Sequence, residues 1–227
     1  MKKVKAGVWL STLVAMSSFG CGTMNGARPL EKGEHEVGMT FGGPTLKLFD
    51  TLIPVPNMVF EGRSGVGKLA DKPYDFNYGI NATALAFGIV QGHVGASWLF
   101  LSQADAIPAL SLTNRIYSAA NLFNRSDKFD DSVNFWGAHE LEVTASWEWN
   151  QHLIYTGIAQ YTDFGLPDLL LSPFVGTSFD HGDEDAFKWE FELRWYGINA
   201  TKDFINAEWF PGTNGSLGIN LGVSYAF

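Results

Sequence analysis

Two pairs of glutamates have the spacing that acid–base chemistry could use. Glu140 and Glu142 stand two residues apart in one predicted strand, and Glu190 and Glu192 stand two apart in another. Successive side chains of a strand point to opposite faces, so both members of each pair share a face. Paired carboxylates can serve as general acid and base, but two basic side chains of the same phase flank the second pair. The pattern therefore favours an ion-pair network, and we predict no catalytic residue.

Other chemistry finds little support in the composition. Five scattered histidines and a single cysteine offer no metal-ligand spacing, and no glycine-rich phosphate loop follows a strand and opens a helix. The formal net charge of −9 argues against a nucleic-acid-binding surface. We therefore predict no metal, no cofactor and no nucleic-acid partner.

The elements that would position the glutamates are strands, and the clearest one ends the chain. Six apolar residues alternate with small or polar neighbours across residues 216–227. This period of two predicts a strand with one apolar face. Nine earlier segments of similar pattern, starting near residues 34, 57, 74, 90, 109, 134, 152, 169 and 187, bring the count to ten, within a range of eight to twelve. Pro44 is predicted to end the first strand and to open a loop over residues 44–56.

Alternation alone does not say which face of the strands is buried, because a soluble barrel is the inverse of a membrane barrel. Large aromatic residues occur at several predicted strand ends, as interfacial girdles require. The chain also stops on an apolar strand, and an export signal precedes it. These features favour the membrane barrel; the aromatic residues at the strand ends are Tyr74, Trp98, Trp147, Trp149 and Phe187.

The last strand resembles the closing strand of bacterial outer-membrane β-barrels, which typically ends on Phe with aromatic or aliphatic residues at alternate positions before it. Here those positions are Phe227, Tyr225, Val223 and Leu221. The resemblance implies an all-β fold, an antiparallel transmembrane β-barrel over residues 34–227. It also implies that Phe227, Tyr225 and Val223 form a signal read by the barrel-assembly machinery, with outer-membrane lipid as the other partner.

The N-terminal residues have the organisation of an export signal. Three lysines precede a short apolar stretch at residues 6–16, so residues 1–20 are predicted to be a signal peptide. Cys21, which follows Gly20, resembles the acylated cysteine of a bacterial lipoprotein, although an ordinary signal peptide with an incidental cysteine is the alternative. The resemblance implies an outer-membrane protein anchored by lipid at Cys21, with residues 21–33 as a tether.

Inside such a barrel, the polar face of the strands becomes the lining. Removing an ion from water costs several kcal/mol, so interior charges need partners, and a barrel of eight to ten strands is narrow. We predict an interior plugged by salt bridges and a role in envelope structure or surface interaction. A small cation-preferring pore is the alternative, since acids exceed bases. The predicted network comprises Glu61, Arg63, Arg115, Glu140, Glu142, Lys188, Glu190, Glu192 and Arg194.

A lipid-modifying hydrolase is a second alternative. A protease is also considered. Residues 130–131 and 180–183 resemble the Asp pair and Asp-His couple of outer-membrane aspartyl proteases, but the strand count places the two groups at opposite ends of the barrel, so we reject this interpretation. Lipid A deacylase barrels use a Ser and a His near the lipid-exposed edge, and two pairs could be compared with them, although neither lies in a recognised motif. These pairs are His93 with Ser97 and His139 with Ser146.

Overall fold

The computed structural model describes residues 26–48, 51–122, 135–150, 152–165, 169–180, 187–201, 210–211 and 214–227. Nearly all of these residues belong to one antiparallel sheet. The strands are β1 (His35–Leu48), β2 (Thr51–Pro54), β3 (Asn57–Leu69), β4 (Lys72–Asn81), β5 (Ile89–Leu101), β6 (Ala109–Asn121), β7 (Phe135–Trp149), β8 (His152–Asp163), β9 (Leu169–Asp180), β10 (Phe187–Thr201) and β11 (Asn214–Ala226). One short helix, α1 (Ala82–Ala86), connects β4 to β5.

The sheet closes into a barrel. Strands β3 to β11 each pair with the next along the chain, β3 also pairs with β1, and β1 pairs with β11. Strand β2 pairs only with the end of β1, so the closed ring contains ten strands. The predicted antiparallel barrel of about ten strands is confirmed. We call the end at which β1 begins and β11 finishes the proximal end, and the opposite end the distal end.

The two faces of the barrel differ sharply in polarity. The outer face carries apolar side chains that are about half exposed, such as Phe60 at 49% and Leu221 at 51%. The inner face carries buried charged side chains, such as Arg115 at 1% and Glu192 at 1%. A soluble barrel would bury the apolar set instead. This inside-out arrangement, together with the pairing of the ladder all around the ring, is what a lipid environment demands of a sheet.

One local prediction needs correction. Strand β1 does not stop at Pro44 but runs on to Leu48 and turns back through β2, so residues 44–56 are largely strand. Pro44 is tolerated because its carbonyl accepts a hydrogen bond from the Val55 amide at 2.8 Å and the ladder there does not depend on a Pro44 donor. The connection between β4 and β5 contains α1, where the Asn81 side chain caps the helix by accepting from the Ala84 amide at 2.9 Å.

No helix within the described ranges is long and apolar enough to cross a membrane.

Candidate functional site in the barrel interior

An ion-pair network, here called the proximal network, lies in the interior near the proximal end. It consists of Glu36, Arg63, Asp75 and Lys188. Arg63 donates to Asp75 at 2.6 Å and lies 3.5 Å from Glu36, and Lys188 donates to the other Glu36 oxygen at 3.1 Å. The ladder brings these groups together, because Glu36 of β1 stands directly opposite Arg63 of β3. Asp75 is fully buried, so the ion pair with Arg63 must offset the cost of removing its carboxylate from water.

A second set, the central network, lies deeper in the barrel. Arg115 and Glu140 are cross-strand neighbours and form a buried ion pair. Arg194 donates to Glu192 at 2.8 Å and to Glu142 at 3.1 Å. The Arg194 guanidinium carbon also lies 4.6 Å from the centroid of the Phe174 ring, a cation–π distance. Three strands, β6, β7 and β10, thus contribute charges that pair with one another in the interior.

The structure brings all nine predicted network residues to the inner face. They do not form a single network, and not all of them form ion pairs. Seven of them form the ion pairs above. Glu61 accepts a hydrogen bond from Thr40 at 2.8 Å, and neither Glu61 nor Glu190 forms an ion pair within the described residues. Glu36 and Asp75, which belong to the same phase, complete the proximal network and were not among the predicted site residues.

The interior also holds a piece of the chain itself. Residues 26–33, the described part of the predicted tether and here called the plug segment, enter the barrel at the proximal end. The Ala27 carbonyl accepts from Ser111 at 3.0 Å, and the Leu30 amide donates to Asp75 at 3.0 Å. Ala27 and Leu30 are only 3% and 6% exposed. The interior side chains therefore satisfy backbone groups of this segment, as buried peptide groups require.

Arg28 fixes the plug segment to the wall at several points. Its guanidinium forms an ion pair with Glu148 and donates to the Gln103 side chain and, at 3.1 Å, to Ser146. The Arg28 carbonyl accepts from Arg63 at 2.6 Å, which joins the plug segment to the proximal network. Sequence reasoning missed this arrangement, because residues 26–33 carry no periodic pattern.

Two glycines of the barrel and the plug segment allow their close approach. A Cβ atom on Gly65 would lie 1.8 Å from the Glu31 carbonyl oxygen, and one on Gly26 would lie 1.8 Å from an Arg63 nitrogen. By contrast, the nearest atom to a Cβ on Gly67, two residues along β3, would be 3.7 Å away in Tyr74. The lack of a side chain at position 65, unlike that at position 67, is therefore needed to admit the plug segment.

The proximal interior contains cavities around this segment. One of about 500 Å³ is lined by Arg28, Gln103 and Glu148, among others. Another of about 200 Å³ is bounded by Arg28, Arg63, Lys188 and Glu190. A small one of about 20 Å³ lies against Glu36, Glu61 and Glu190. Charged side chains contribute to the lining of all three.

Neither candidate Ser–His pair is joined by a hydrogen bond within the described residues. His93 is buried on the inner face, 5.3 Å between ring centroids from Tyr117, and Ser97 accepts from Asn77 at 3.1 Å and from Thr113 at 2.9 Å. Ser146 faces the interior, where Arg28 binds it, whereas His139 lies on the outer face between the inward-facing Ala138 and Glu140.

Two further predictions fall on parts of the chain that are not described. Residues 130–131 and 181–183 lie outside the described residues, as does Cys21. Within the described residues, no group of three His, Cys, Asp or Glu side chains is arranged to hold a metal ion.

Two of the predicted assembly-signal residues, Val223 and Tyr225, lie on the outer face of β11, and the third, Phe227, directly follows this strand. Phe227 is 66% exposed and Tyr225 is 40% exposed, while Val223 shares their face and is half-buried. The rings of Tyr225 and Phe227 stack with centroids 6.2 Å apart, and Phe187 of β10 lies 5.0 Å from Tyr225. An aromatic group therefore marks the proximal rim.

A closed ring of ten antiparallel strands with an apolar exterior and a charged interior defines the class of protein, a transmembrane β-barrel. Neither a protein family nor a curated protein matches this sequence. The solved structures to which the chain is similar include two outer-membrane proteins. One is an outer-membrane channel from Pseudomonas putida F1, with 12% identity and a TM-score of 0.46 over 91% of this chain and 100% of that one. The other is Ail, the attachment invasion locus protein of Yersinia pestis, solved with the heparin analogue sucrose octasulfate, with 10% identity and a TM-score of 0.26 over 86% of this chain and 99% of that one.

Proposed function

We propose that this protein is a bacterial outer-membrane β-barrel lipoprotein with a closed interior, acting in envelope structure or surface interaction. The observation that carries the proposal is the occupation of the barrel interior by the plug segment and by two ion-pair networks. A conducting pore needs a continuous wet path, whereas here the plug segment and paired charged side chains occupy the interior, and Arg194 of β10 reaches Glu142 of β7. The proposal assigns no catalytic step to these charges.

Conductance in a planar lipid bilayer tests the closed interior. The purified, folded full chain should give no steady conductance steps in KCl. Heat-modifiable migration in gels checks independently that the barrels are folded. An absence of conductance can then be attributed to a closed interior and not to failed folding or insertion. Steady conductance by the wild-type protein would overturn the proposal.

A small cation-preferring pore is the second candidate, and the charge balance of the interior favours it. Eight interior or rim acids face five bases. The acids are Glu36, Glu61, Asp75, Glu140, Glu142, Glu148, Glu190 and Glu192, and the bases are Arg28, Arg63, Arg115, Lys188 and Arg194. In this reading the wild type conducts, and a KCl gradient gives a reversal potential on the cation-selective side. Anion selectivity would exclude it.

The lipoprotein part of the proposal concerns Cys21 and the bacterial outer membrane. The organisation of residues 1–21 and the aromatic closing strand support it, with outer-membrane lipid and the barrel-assembly machinery as the implied partners. A palmitate analogue should label the wild type and not the Cys21→Ser variant. Membrane fractionation should recover the protein with the outer membrane, and recovery in the soluble periplasmic fraction would contradict this location.

A lipid-modifying hydrolase is the third candidate and rests only on His93 and His139. If it holds, expression of the protein changes the acylation pattern of lipid A, and a His93→Ala or His139→Ala replacement removes that change. Unaltered lipid A with a folded wild-type barrel excludes this candidate.

A further inference from the structure

A small cavity in the proximal interior brings several oxygen-bearing side chains together with apolar groups. Its volume is about 20 Å³, and the side chains of Thr40, Glu61, Glu190 and Ser224 line it, together with Glu36 and Arg63. These residues come from the closing pair of strands, β1 and β11, and from their neighbours β3 and β10. A space of this size holds one particle about as large as a water molecule.

The charges around this cavity do not balance. Glu36 is paired with both Arg63 and Lys188, and Arg63 is shared with Asp75. Glu61 receives only the Thr40 hydroxyl, and Glu190 has neither an ion pair nor a hydrogen bond to a side chain within the described residues. Two carboxyl groups without a basic partner on one small cavity leave an excess of negative charge when both are ionised, which is costly away from bulk water.

Ser224 gives a second and independent indication of a ligand. Its residue is 8% exposed, it lines the cavity, and its hydroxyl oxygen has no hydrogen-bond partner among the described groups. Buried hydroxyl groups are normally satisfied. Opposite it, a Cβ on Gly38 would lie 2.9 Å from the Ser224 Cβ. The space beside Ser224 thus exists because position 38 carries no side chain.

We propose that this cavity binds one monovalent cation, Na⁺ or K⁺, held by the carboxylates of Glu61 and Glu190 and the hydroxyl of Ser224. Hard cations prefer such oxygen ligands, whereas Ca²⁺ takes six to eight of them and Mg²⁺ needs near-octahedral geometry. Three oxygen-bearing side chains are fewer than either divalent ion requires. The site stands on these residues alone, and it holds whether the barrel is closed or conducts.

Thermal unfolding of the detergent-solubilised full chain tests the site. The midpoint, followed by loss of heat-modifiable migration, is measured while NaCl or KCl replaces choline chloride at constant ionic strength. Ligands that bind only the folded state raise its stability. We expect a saturable rise in Na⁺ or K⁺ that choline does not give, and the more effective of the two salts identifies the preferred ion.

Three variants assign the effect to the cavity. Glu190→Gln should raise the half-saturating salt concentration about tenfold or more, because a charged ligand is lost, and Ser224→Ala should raise it about threefold. Glu148→Gln, which changes a carboxylate at the rim with a 57% exposed side chain, is the matched control and should leave it unchanged.

The proposal is overturned by equal midpoints in all three salts, by an unaltered half-saturation in Ser224→Ala, or by stabilisation that only Mg²⁺ or Ca²⁺ provides. Ser224→Ala removes a single oxygen and keeps every carboxylate, so it decides the matter even if Glu190→Gln does not fold. Bilayer conductance plays no part in these readings, so they are distinct from the test of the closed interior.

Discussion

The backbones of His35 and Phe227 exchange two hydrogen bonds, from the His35 amide at 3.0 Å and from the Phe227 amide at 2.8 Å. Their rings stack with centroids 5.7 Å apart. This pair is the last rung at the proximal end of the β1–β11 ladder. Phe227 thus contributes both to the outer aromatic rim and to closure of the barrel.

Deletion of Phe227 should therefore impair assembly. The deletion removes two ladder hydrogen bonds and the ring that stacks on His35 and Tyr225. We expect a lower fraction of heat-modifiable protein in isolated outer membranes. Ile107→Ala, which truncates a 57% exposed side chain in the connection between β5 and β6, is the control. Equal fractions for the two variants would refute a role of Phe227 in assembly.

Arg194→Met should destabilise the folded barrel strongly. Glu192 and Glu142 would lose their guanidinium partner in a buried site, and breaking such a pair costs about 3–5 kcal/mol. Unfolding by urea in lipid vesicles measures the free energy of unfolding. Lys188→Met leaves Glu36 its pair with Arg63 and should therefore cost less than Arg194→Met. Similar losses for both variants would contradict the buried central network.

Gly65→Val should displace the plug segment, because its side chain would occupy the place of the Glu31 carbonyl oxygen. In a Cys21→Ser background, a Ser111→Cys thiol would lie beneath Ala27 and report on this segment. We expect a membrane-impermeant thiol reagent to label Cys at this position about tenfold faster after Gly65→Val. A tenfold change corresponds to a loss of about 1.4 kcal/mol in the free energy that holds the plug segment in place.

Gly67→Val is the matched control for the plug experiment, since the nearest atom to its Cβ would be 3.7 Å away. It should leave the labelling rate at the wild-type value. Equal acceleration by both replacements would mean that β3 itself, and not the plug segment, shields Ser111.

Leu221→Arg should identify the lipid-facing surface. Leu221 is 51% exposed and lies between Phe41 and Phe191 in the middle of the outer face. An arginine facing lipid at the bilayer midplane costs about 2–4 kcal/mol, falling to about 0–1 kcal/mol near the interfaces. Phe187→Arg, at the first residue of β10, is the interfacial control. Folding titrations in vesicles that show no difference between the two would contradict this orientation.

Alternation in the sequence predicts most of the barrel, because a lipid-facing side and a charged side impose period two on each strand. It is weakest where the inner face is apolar. In β8 the inward Tyr155 and Ala159 pack with Ala27 and Phe174, so both faces of that strand carry hydrophobic residues. The period is masked there for a physical reason.

The charged site was only partly predictable. The alternation of each strand predicts that Glu61 and Glu190 face the interior. The register between neighbouring strands decides which charges meet, and this register cannot be predicted from the residues of a single strand. The plug segment is held largely through backbone atoms, such as the Ala27 carbonyl and the Leu30 amide. Any residue carries those atoms, so residue types alone give no signal for it.

The order of strands also sets an order of events during biogenesis. Nine of the ten interfaces in the ring join strands that follow one another along the chain, apart from the small β2 excursion, and only the β1–β11 interface joins distant ends. Local pairings form with less loss of chain entropy than distant ones. The sheet therefore grows as an open trough whose final seam is the β1–β11 contact. Because residues 26–33 directly precede β1, they can be laid into that trough before the seam is sealed, and no threading through a finished barrel is needed.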